Sequence, residues 1–438
     1  MTIKQPTWLI LSHGFNMDGR AASHTITDKI PHLRAAGITP IVISARTGRL
    51  DREVEHHQLF PLGPVGLRFD LRHVLRQRWG KDWRYRLTML LATLLLMPGI
   101  VIEKALRPLE SQWSWWWPAY RKGLKLIREG RVSVIYSTGG AYAAHVAGYH
   151  LKLATGLPWI AEVHDPLIMP GSSPQNAQQR MQADVERMIC EKADLPFWFT
   201  EQALASARRR HPVLGERGQM IIPGADAPKA HLPPYTPGPK MILGHFGSLS
   251  TSRHLAGVIE AMNRLREQAS NPPEIELHIY GTDLDSHTAA AIEKYGKQVT
   301  VRHFGRLERD PVTGKSGRQQ VLEKMRAADV LVLQHGIEPF CEEYIPSKLY
   351  EYLWMKRPIL GLVYRNPQLS RLLSDLGHPA VAADDVKSQT QVLQELYTQW
   401  QQTGLPDREQ ESPYTTANAV QAILAHTAAL NDKQANLS

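Results

Sequence analysis

Short apolar segments alternate with helix-like ones along nearly the whole chain, and the alternation starts over once in the middle. Trp8 to Ser12 and Pro40 to Ser44 read as buried strands, with a helix pattern from about Ala21 to Ala36 between them that ends at Gly37. Val132 to Tyr136 and Trp159 to Val163 continue the series around a helix from Ala141 to Thr155. Strands that are apolar on both faces and separated by helices belong in a parallel sheet covered on both sides. The stretch from Ala225 to Lys240 carries Pro228, Pro233, Pro234, Pro237 and Pro239 and reads as an interdomain linker. After it the rhythm restarts with strands at Met241 to Phe246, Glu276 to Tyr280, Val299 to Phe304, Val330 to Gln334 and Pro358 to Val363. Helical patterns lie between them at Leu255 to Arg266, Arg318 to Ala328 and Ser347 to Met355. With 438 residues there is room for two such domains. The expectation is α/β architecture with two consecutive Rossmann-like doubly wound domains, residues 1–225 and 241–410, a linker at 226–240 and a final helical segment at 411–438.

The chemistry concentrates between Cys341 and Leu360. Glu343 precedes the turn Ile345-Pro346-Ser347, and Glu351 falls about one turn into a helix that Ser347 is expected to cap. Lys348 and Glu351, three apart, share a face. First-turn amides, the helix dipole and Lys348 would converge on one anion, flanked by carboxylates able to accept hydrogen bonds from hydroxyls. A nucleoside diphosphate sugar has that pattern, anionic in the middle and polyhydroxylated at both ends. At the strand ends, Ser12-His13-Gly14-Phe15-Asn16-Met17-Asp18-Gly19-Arg20 and Ser137-Thr138-Gly139-Gly140 are glycine-containing turns that let a substrate approach the backbone.

The spacing Glu343, seven residues, Glu351, with Ile-Pro-Ser-Lys-Leu-Tyr-Glu-Tyr-Leu and then Arg357-Pro358-Ile359-Leu360, resembles the signature of retaining glycosyltransferases of the two-domain GT-B fold, family 4 type. The resemblance extends from about Trp8 to Leu430 and is specific only in the segments quoted. It implies two domains facing a central cleft, with the last helix returning to the first domain. It also implies a nucleotide-sugar donor as substrate, with no separate cofactor and no divalent metal. Glu351 would hold the ribose, Glu343 the donor sugar, and the Ile345-Pro346-Ser347-Lys348 turn the diphosphate. Gly244 to Arg253 resembles the family's first glycine turn, giving Gly247, Ser248 and Arg253 to the donor. The family commonly adds a lysine five residues on, where this chain has Val258, and Lys348 is the substitute. Gly281 closes a strand where relatives hold the base and ribose. The stretch from Tyr136 to Pro166 resembles one in which a strand-ending His faces the transferred sugar, here His164. The acceptor side would fall to His13, Gly14, Asp18, Gly19, Arg20, Gly139 and Gly140. The acceptor implied is a lipid-linked or growing bacterial surface saccharide.

The net charge of +9 suits phosphates or anionic lipid, and nothing points to nucleic acid. Cys190 and Cys341 allow no disulfide framework and suit a reducing cytosol, and the N-terminus reads as running straight into a strand without a signal peptide. From Leu87 to Ile102 the chain is uncharged, but at sixteen residues interrupted by Pro98-Gly99 it falls short of the ~20 a spanning helix needs. Arg68, Arg72, Arg76, Arg78, Lys81, Arg84 and Arg86 precede it; Trp113, Trp115, Trp116 and Trp117 follow. Two readings fit: a segment lying on the anionic inner face of the plasma membrane, or a pair of core helices with a solvated basic face. Asp283-Leu284-Asp285 matches a metal-binding Asp-x-Asp in form but is expected to be a turn. Gly314-Lys315-Ser316 lacks the phosphate-loop glycine, having Arg309 there. Two other functions remain open on sequence: a sugar-nucleotide epimerase of the same fold, and a catalytically degenerate glycosyltransferase serving as an assembly partner.

Overall fold

The structure is a computed structural model describing residues 5–17, 20–409 and 411–435. The chain forms two compact units, residues 1–223 with 416–438, and residues 224–415.

The first unit is built on a parallel sheet of β1 (Thr7–Leu11), β2 (Thr39–Ala45), β3 (Glu55–Leu59), β4 (Val134–Thr138), β5 (Trp159–Val163), β6 (Leu195–Trp198) and β7 (Gln219–Met220). Their order is β3-β2-β1-β4-β5-β6-β7. Side chains alternate across it: Leu9, Leu11, Ile41 and Ile43 enter one core, while Trp8, Ile10 and Val42 enter the other. The helix expected over 21–36 is two helices, α1 (Ala21–Thr27) and α2 (Lys29–Ala35), meeting at Asp28. Pro31 has no N–H to give the carbonyl of Thr27, so the ladder is interrupted there. Next come α3 (Pro64–Trp79), α4 (Trp83–Leu106), α5 (Trp116–Arg128), α6 (Tyr142–Thr155), α7 (Ala177–Lys192) and α8 (Glu201–Arg210).

The helix α4 corrects the sequence reading. The apolar run does not break at Pro98-Gly99; one helix of 24 residues runs through it, started by Asp82, whose carboxylate accepts from Tyr85 N at 2.9 Å. Gly99 lies against α3, where a Cβ would come 2.7 Å from Pro64 Cγ. By length and composition α4 could cross a bilayer, and only 6% of its most apolar window is buried. Of the following tryptophans, Trp115 is wholly buried in the core, Trp116 packs against it and Trp117 is 39% exposed.

The second unit repeats the plan with β8 (Met241–Gly247), α9 (Ala256–Gln268), β9 (Ile275–Gly281), α10 (Ser286–Tyr295), β10 (Thr300–Gly305), α11 (Gly317–Ala327), β11 (Val330–Gln334), α12 (Lys348–Leu353), β12 (Ile359–Val363), α13 (Pro367–Asp375), β13 (Ala380–Ala382) and α14 (Val386–Thr403). The sheet order is β10-β9-β8-β11-β12-β13, again parallel. The proline-rich segment belongs to this unit. Tyr235 sets its hydroxyl against Asp329 and, at 2.9 Å, the Gly404 carbonyl, and its ring lies 3.3 Å under the buried Arg357 guanidinium. Arg357, part of the family-like string, is therefore a packing residue; its Nε and Nη2 donate to the carbonyls of Ala328 and Asp329. The last helix, α15 (Thr416–Ala435), puts Ala419, Val420 and Ile423 into the first unit's core beside Ile26, Ile30 and Leu33.

Candidate functional site

In each sheet the strand order reverses once, between β1 and β4 and between β8 and β11, and such points open a crevice at the carboxyl ends of the strands. In the second unit the loops leaving β8 and β11 carry most of the sequence-derived candidates. Gly247 and Gly281 end neighbouring strands in register, and a Cβ on Gly281 would lie 1.9 Å from the Gly247 carbonyl oxygen, so the two backbones meet only because residue 281 is glycine. Ser250 to Arg253 forms a tight turn by mutual backbone hydrogen bonds of 2.9 and 3.0 Å. From it Arg253 donates Nε to His335 O at 3.3 Å and lies over the Tyr344 ring at 5.5 Å.

The loop after β11 is braced. His335 Nε2 sits 2.8 Å from Tyr344 O, and Asn366 Nδ2 donates to the carbonyls of Cys341 (3.0 Å) and Tyr344 (2.8 Å). Glu343 ends a 3-10 turn, Pro339–Glu343, with only 5% exposure. Ser347 does not cap α12. Its backbone is already helical (φ −58°, ψ −21°), whereas a capping residue is extended, and the helix opens instead with a 3.0 Å bond from Leu349 N to Pro346 O. At six residues α12 offers little dipole, so charge at this point comes from side chains. Lys348 Nζ pairs with Glu351 Oε2 at 2.8 Å. Tyr352 anchors the helix to β8 by accepting from Phe246 N at 3.0 Å.

His245, which sequence reasoning missed, lies on β8 at 4% exposure. Burial chiefly, then Arg253 and Lys348, push its pKa down to about 4, so the ring is neutral. Nδ1 faces Val332 O at 3.2 Å and so carries the proton; Nε2, buried without a hydrogen-bond partner, keeps a lone pair 3.6 Å from where a Gly247 Cβ would be. A lone polar residue inside an apolar strand was the available signal. Val258, where the resemblance would commonly put a lysine, is in the core at 1% exposure. Asp285 is a helix cap, accepting from His287 N (2.9 Å) and Thr288 N (3.0 Å). Among the described residues no group of three or more His, Cys, Asp or Glu is arranged to hold a metal ion.

In the first unit, Glu162 is the centre of a buried network that the sequence did not reveal. Lys29 Nζ reaches both its oxygens (2.9 and 3.0 Å), the Tyr136 hydroxyl donates to it, and His164 Nε2 lies 2.7 Å away. Burial alone would raise its pKa, but Lys29 and His164 hold it down at about 2. His164 Nε2 also meets Thr138 Oγ1 at 2.9 Å, and the ring stacks on Phe199 at 4.8 Å. Gly139 makes this possible, since a Cβ would strike His164 Cγ at 2.8 Å; Gly140 adopts φ +94°. After β1, His13 is 4% exposed, with Nε2 3.7 Å from Asp70 Oδ1 of α3. Burial drives the two pKa values apart, His13 to about 3 and Asp70 up to about 7. Gly14 has ordinary packing room and Arg20 lies over Phe69 at 5.6 Å. Asp18 and Gly19 fall outside the described residues.

No family model and no curated protein matches the chain. Solved structures do. A sucrose-phosphate synthase from Thermosynechococcus elongatus is similar over 99% of this chain and 98% of its own, with a TM-score of 0.58 at 14% identity. The fold is GT-B. TarM matches over 99% of both chains (TM-score 0.55, 8% identity) and an α,α-trehalose 6-phosphate synthase from Burkholderia multivorans over 99% and 100% (0.53, 11%). At such identities the likeness concerns the fold, and function has to be argued from the site.

Proposed function

We propose that this protein is a retaining glycosyltransferase of family 4 type that moves a sugar from a nucleotide-sugar donor to a lipid-linked or growing bacterial surface saccharide. The observation that carries the reading is that the loops leaving β8 and β11 meet, Arg253 donating to His335 O and lying over Tyr344, in the stretch that also carries Glu343 and the Lys348–Glu351 pair. Two cations fixed near two carboxylates suit a ligand that is a diphosphate with hydroxylated ends. Arg253 and Lys348 offset the charge that gathers on the departing diphosphate, which removes the need for a divalent metal. Glu343 orients the donor sugar, and Glu351, shared with Lys348, takes the ribose hydroxyls. Gly247, Ser248, Gly281 and the turn at Ile345, Pro346 and Ser347 line the donor. In the first unit, His13, Gly14, Arg20, Gly139 and Gly140 serve the acceptor. His164 serves as a contact for the transferred sugar, oriented by Glu162. The similar structures' names, two of them sugar-phosphate synthases, agree with sugar transfer.

The helical hairpin α3–α4 would hold the enzyme on the cytoplasmic face of an anionic membrane. Exposed Leu87, Leu90, Leu94 and Val101 form a stripe along α4. Spanning is disfavoured because α3 runs antiparallel beside α4, with Arg68 Nε donating to Thr93 at mid-helix (2.9 Å), so a spanning α4 would carry arginine into hydrocarbon. The test incubates the protein with a panel of nucleotide sugars and a bacterial lipid extract in EDTA. Release of one nucleoside diphosphate, dependent on the extract and accompanied by a glycosylated product of unchanged anomeric configuration, is expected. Epimerised nucleotide sugar without transfer, or no turnover with any donor, would refute the reading.

A further inference from the structure

Between α3 and α4 lies a cavity of about 330 Å³ whose lining combines an apolar floor with positive charge. Val65, Phe69, Met97 and Ile100 supply the floor; Arg68, Arg72 and Lys104 supply the charge, and no acidic side chain lines it. Three cations around one opening repel each other and gain from an anion placed among them. Each is steered by a local contact: Arg68 by Thr93 across the opening, Arg72 over the Phe69 ring at 5.1 Å, and Lys104 by the Leu109 carbonyl at 2.6 Å. The volume falls at the small end of ligand sites, enough for a phosphate and the first part of a hydrocarbon chain. The cavity is continuous with the exposed apolar face of α4, since Met97 belongs to both and is 42% exposed.

We infer that this cleft is a binding site for a lipid-borne phosphate, with the phosphate held by Arg68, Arg72 and Lys104 and the chain lying over Val65, Met97 and Ile100 toward the face of α4. A soluble phosphate would make no use of the floor, and an uncharged lipid none of the three cations. Phe69 joins this site to the turn after β1. Its ring is 6.1 Å from His13 and lies under both Arg20 (5.6 Å) and Arg72 (5.1 Å). A phosphate seated in the cleft therefore sets whatever it is esterified to beside the residues assigned to the acceptor, within one unit of the protein. This deepens the proposed function, on which it rests for the word acceptor, by naming the acceptor's chemical class as a lipid phosphate.

The experiment titrates the full-length protein, in a neutral detergent, with a polyprenyl monophosphate, the matching prenol, inorganic phosphate and phosphatidylglycerol. Saturable binding of one lipid phosphate per chain is expected, with prenol and inorganic phosphate at least tenfold weaker. The substitutions Arg68→Gln, Arg72→Gln and Lys104→Gln together should lower the affinity at least tenfold. Arg264→Gln with Arg266→Gln, on α9 of the second unit, should leave it unchanged. If phosphatidylglycerol saturates and competes as well as the prenyl phosphate, the ligand is a bilayer headgroup; if it does not, the ligand is a lipid carrier. Equal affinity for prenol, or a triple variant that binds like the wild type, overturns the inference. Nucleoside diphosphate binding measured on the same preparations tests the glycosyltransferase reading separately, so either can fail alone.

Discussion

At the scale of single residues, the proposed function gives Glu343 and Glu351 separable duties. Glu351, against Lys348, is assigned to the ribose, so Glu351→Gln should weaken a nucleoside diphosphate by the ~1.5 to 3 kcal/mol typical of hydrogen bonds to charged groups. Glu343→Gln should leave that affinity nearly unchanged and lower turnover, because a contact orienting the sugar matters most as the anomeric bond breaks. Calorimetry beside steady-state rates separates them, and equal loss of affinity in both variants would contradict the assignment. Glu162 behaves differently. With Lys29 at 1% and Glu162 at 0% exposure, Glu162→Gln strands a buried ammonium and should destabilise the first unit by about 3 to 5 kcal/mol, while adding Lys29→Met should recover part of it. Chemical denaturation measures both. Glu343, Lys348 and Glu351 could be singled out on sequence because their spacing is local. Glu162 could not, because Lys29 and Tyr136 are distant in sequence and, although His164 lies only two residues on, nothing local announces a buried carboxylate. His245 was passed over because burial in an apolar strand, the chief cause of its lowered pKa, reads on sequence as core rather than site.

At the scale of elements, β6, Leu-Pro-Phe-Trp, escaped the sequence reading although wholly buried, being four residues long with Pro196 inside it, while the strands read from their apolar runs were legible to within two residues. The edge strand β3, Glu-His-His-Gln-Leu, was not, because it is only half-buried and its composition follows its exposure. Helix α4 defeated the sequence reading for a third reason. Pro98-Gly99 reads as an interruption, yet one helix runs through it, packed along α3. The hairpin should bind anionic vesicles at low salt and lose them as salt rises, because screening acts over ~10 Å at 0.1 M. Co-sedimentation with Arg76→Gln and Arg78→Gln should show weaker binding; a protein indifferent to anionic vesicles would mean the exposed face of α4 has another partner. For α10, Asp285→Asn should keep both stability and turnover in EDTA, as asparagine caps as well as aspartate.

At the scale of the whole molecule, the histidines decide the acid limit. His245 and His335 are held neutral to about pH 4 by burial first, and His378 and His145 to about 3. The unfolded chain takes up these protons near pH 6.5 and the folded one does not. Each group therefore removes stability at about 1.4 kcal/mol per pH unit as pH falls from 6.5 toward its folded value. Asp70, raised to about 7, acts in the opposite sense, favouring the fold below pH 4 and losing that contribution as pH rises through 7. A melting temperature that falls between pH 6.5 and 4.5 is expected, and a flat profile there would contradict the neutral histidines. The central claim is that the second unit takes a nucleoside diphosphate between Arg253 and Lys348, and the most direct measurement is calorimetric titration of the whole protein with UDP, GDP, ADP and their sugars. One base should bind saturably at one per chain, and Arg253→Gln and Lys348→Gln should each weaken it at least tenfold. No binding of any nucleotide, or variants that bind as the wild type does, would contradict it.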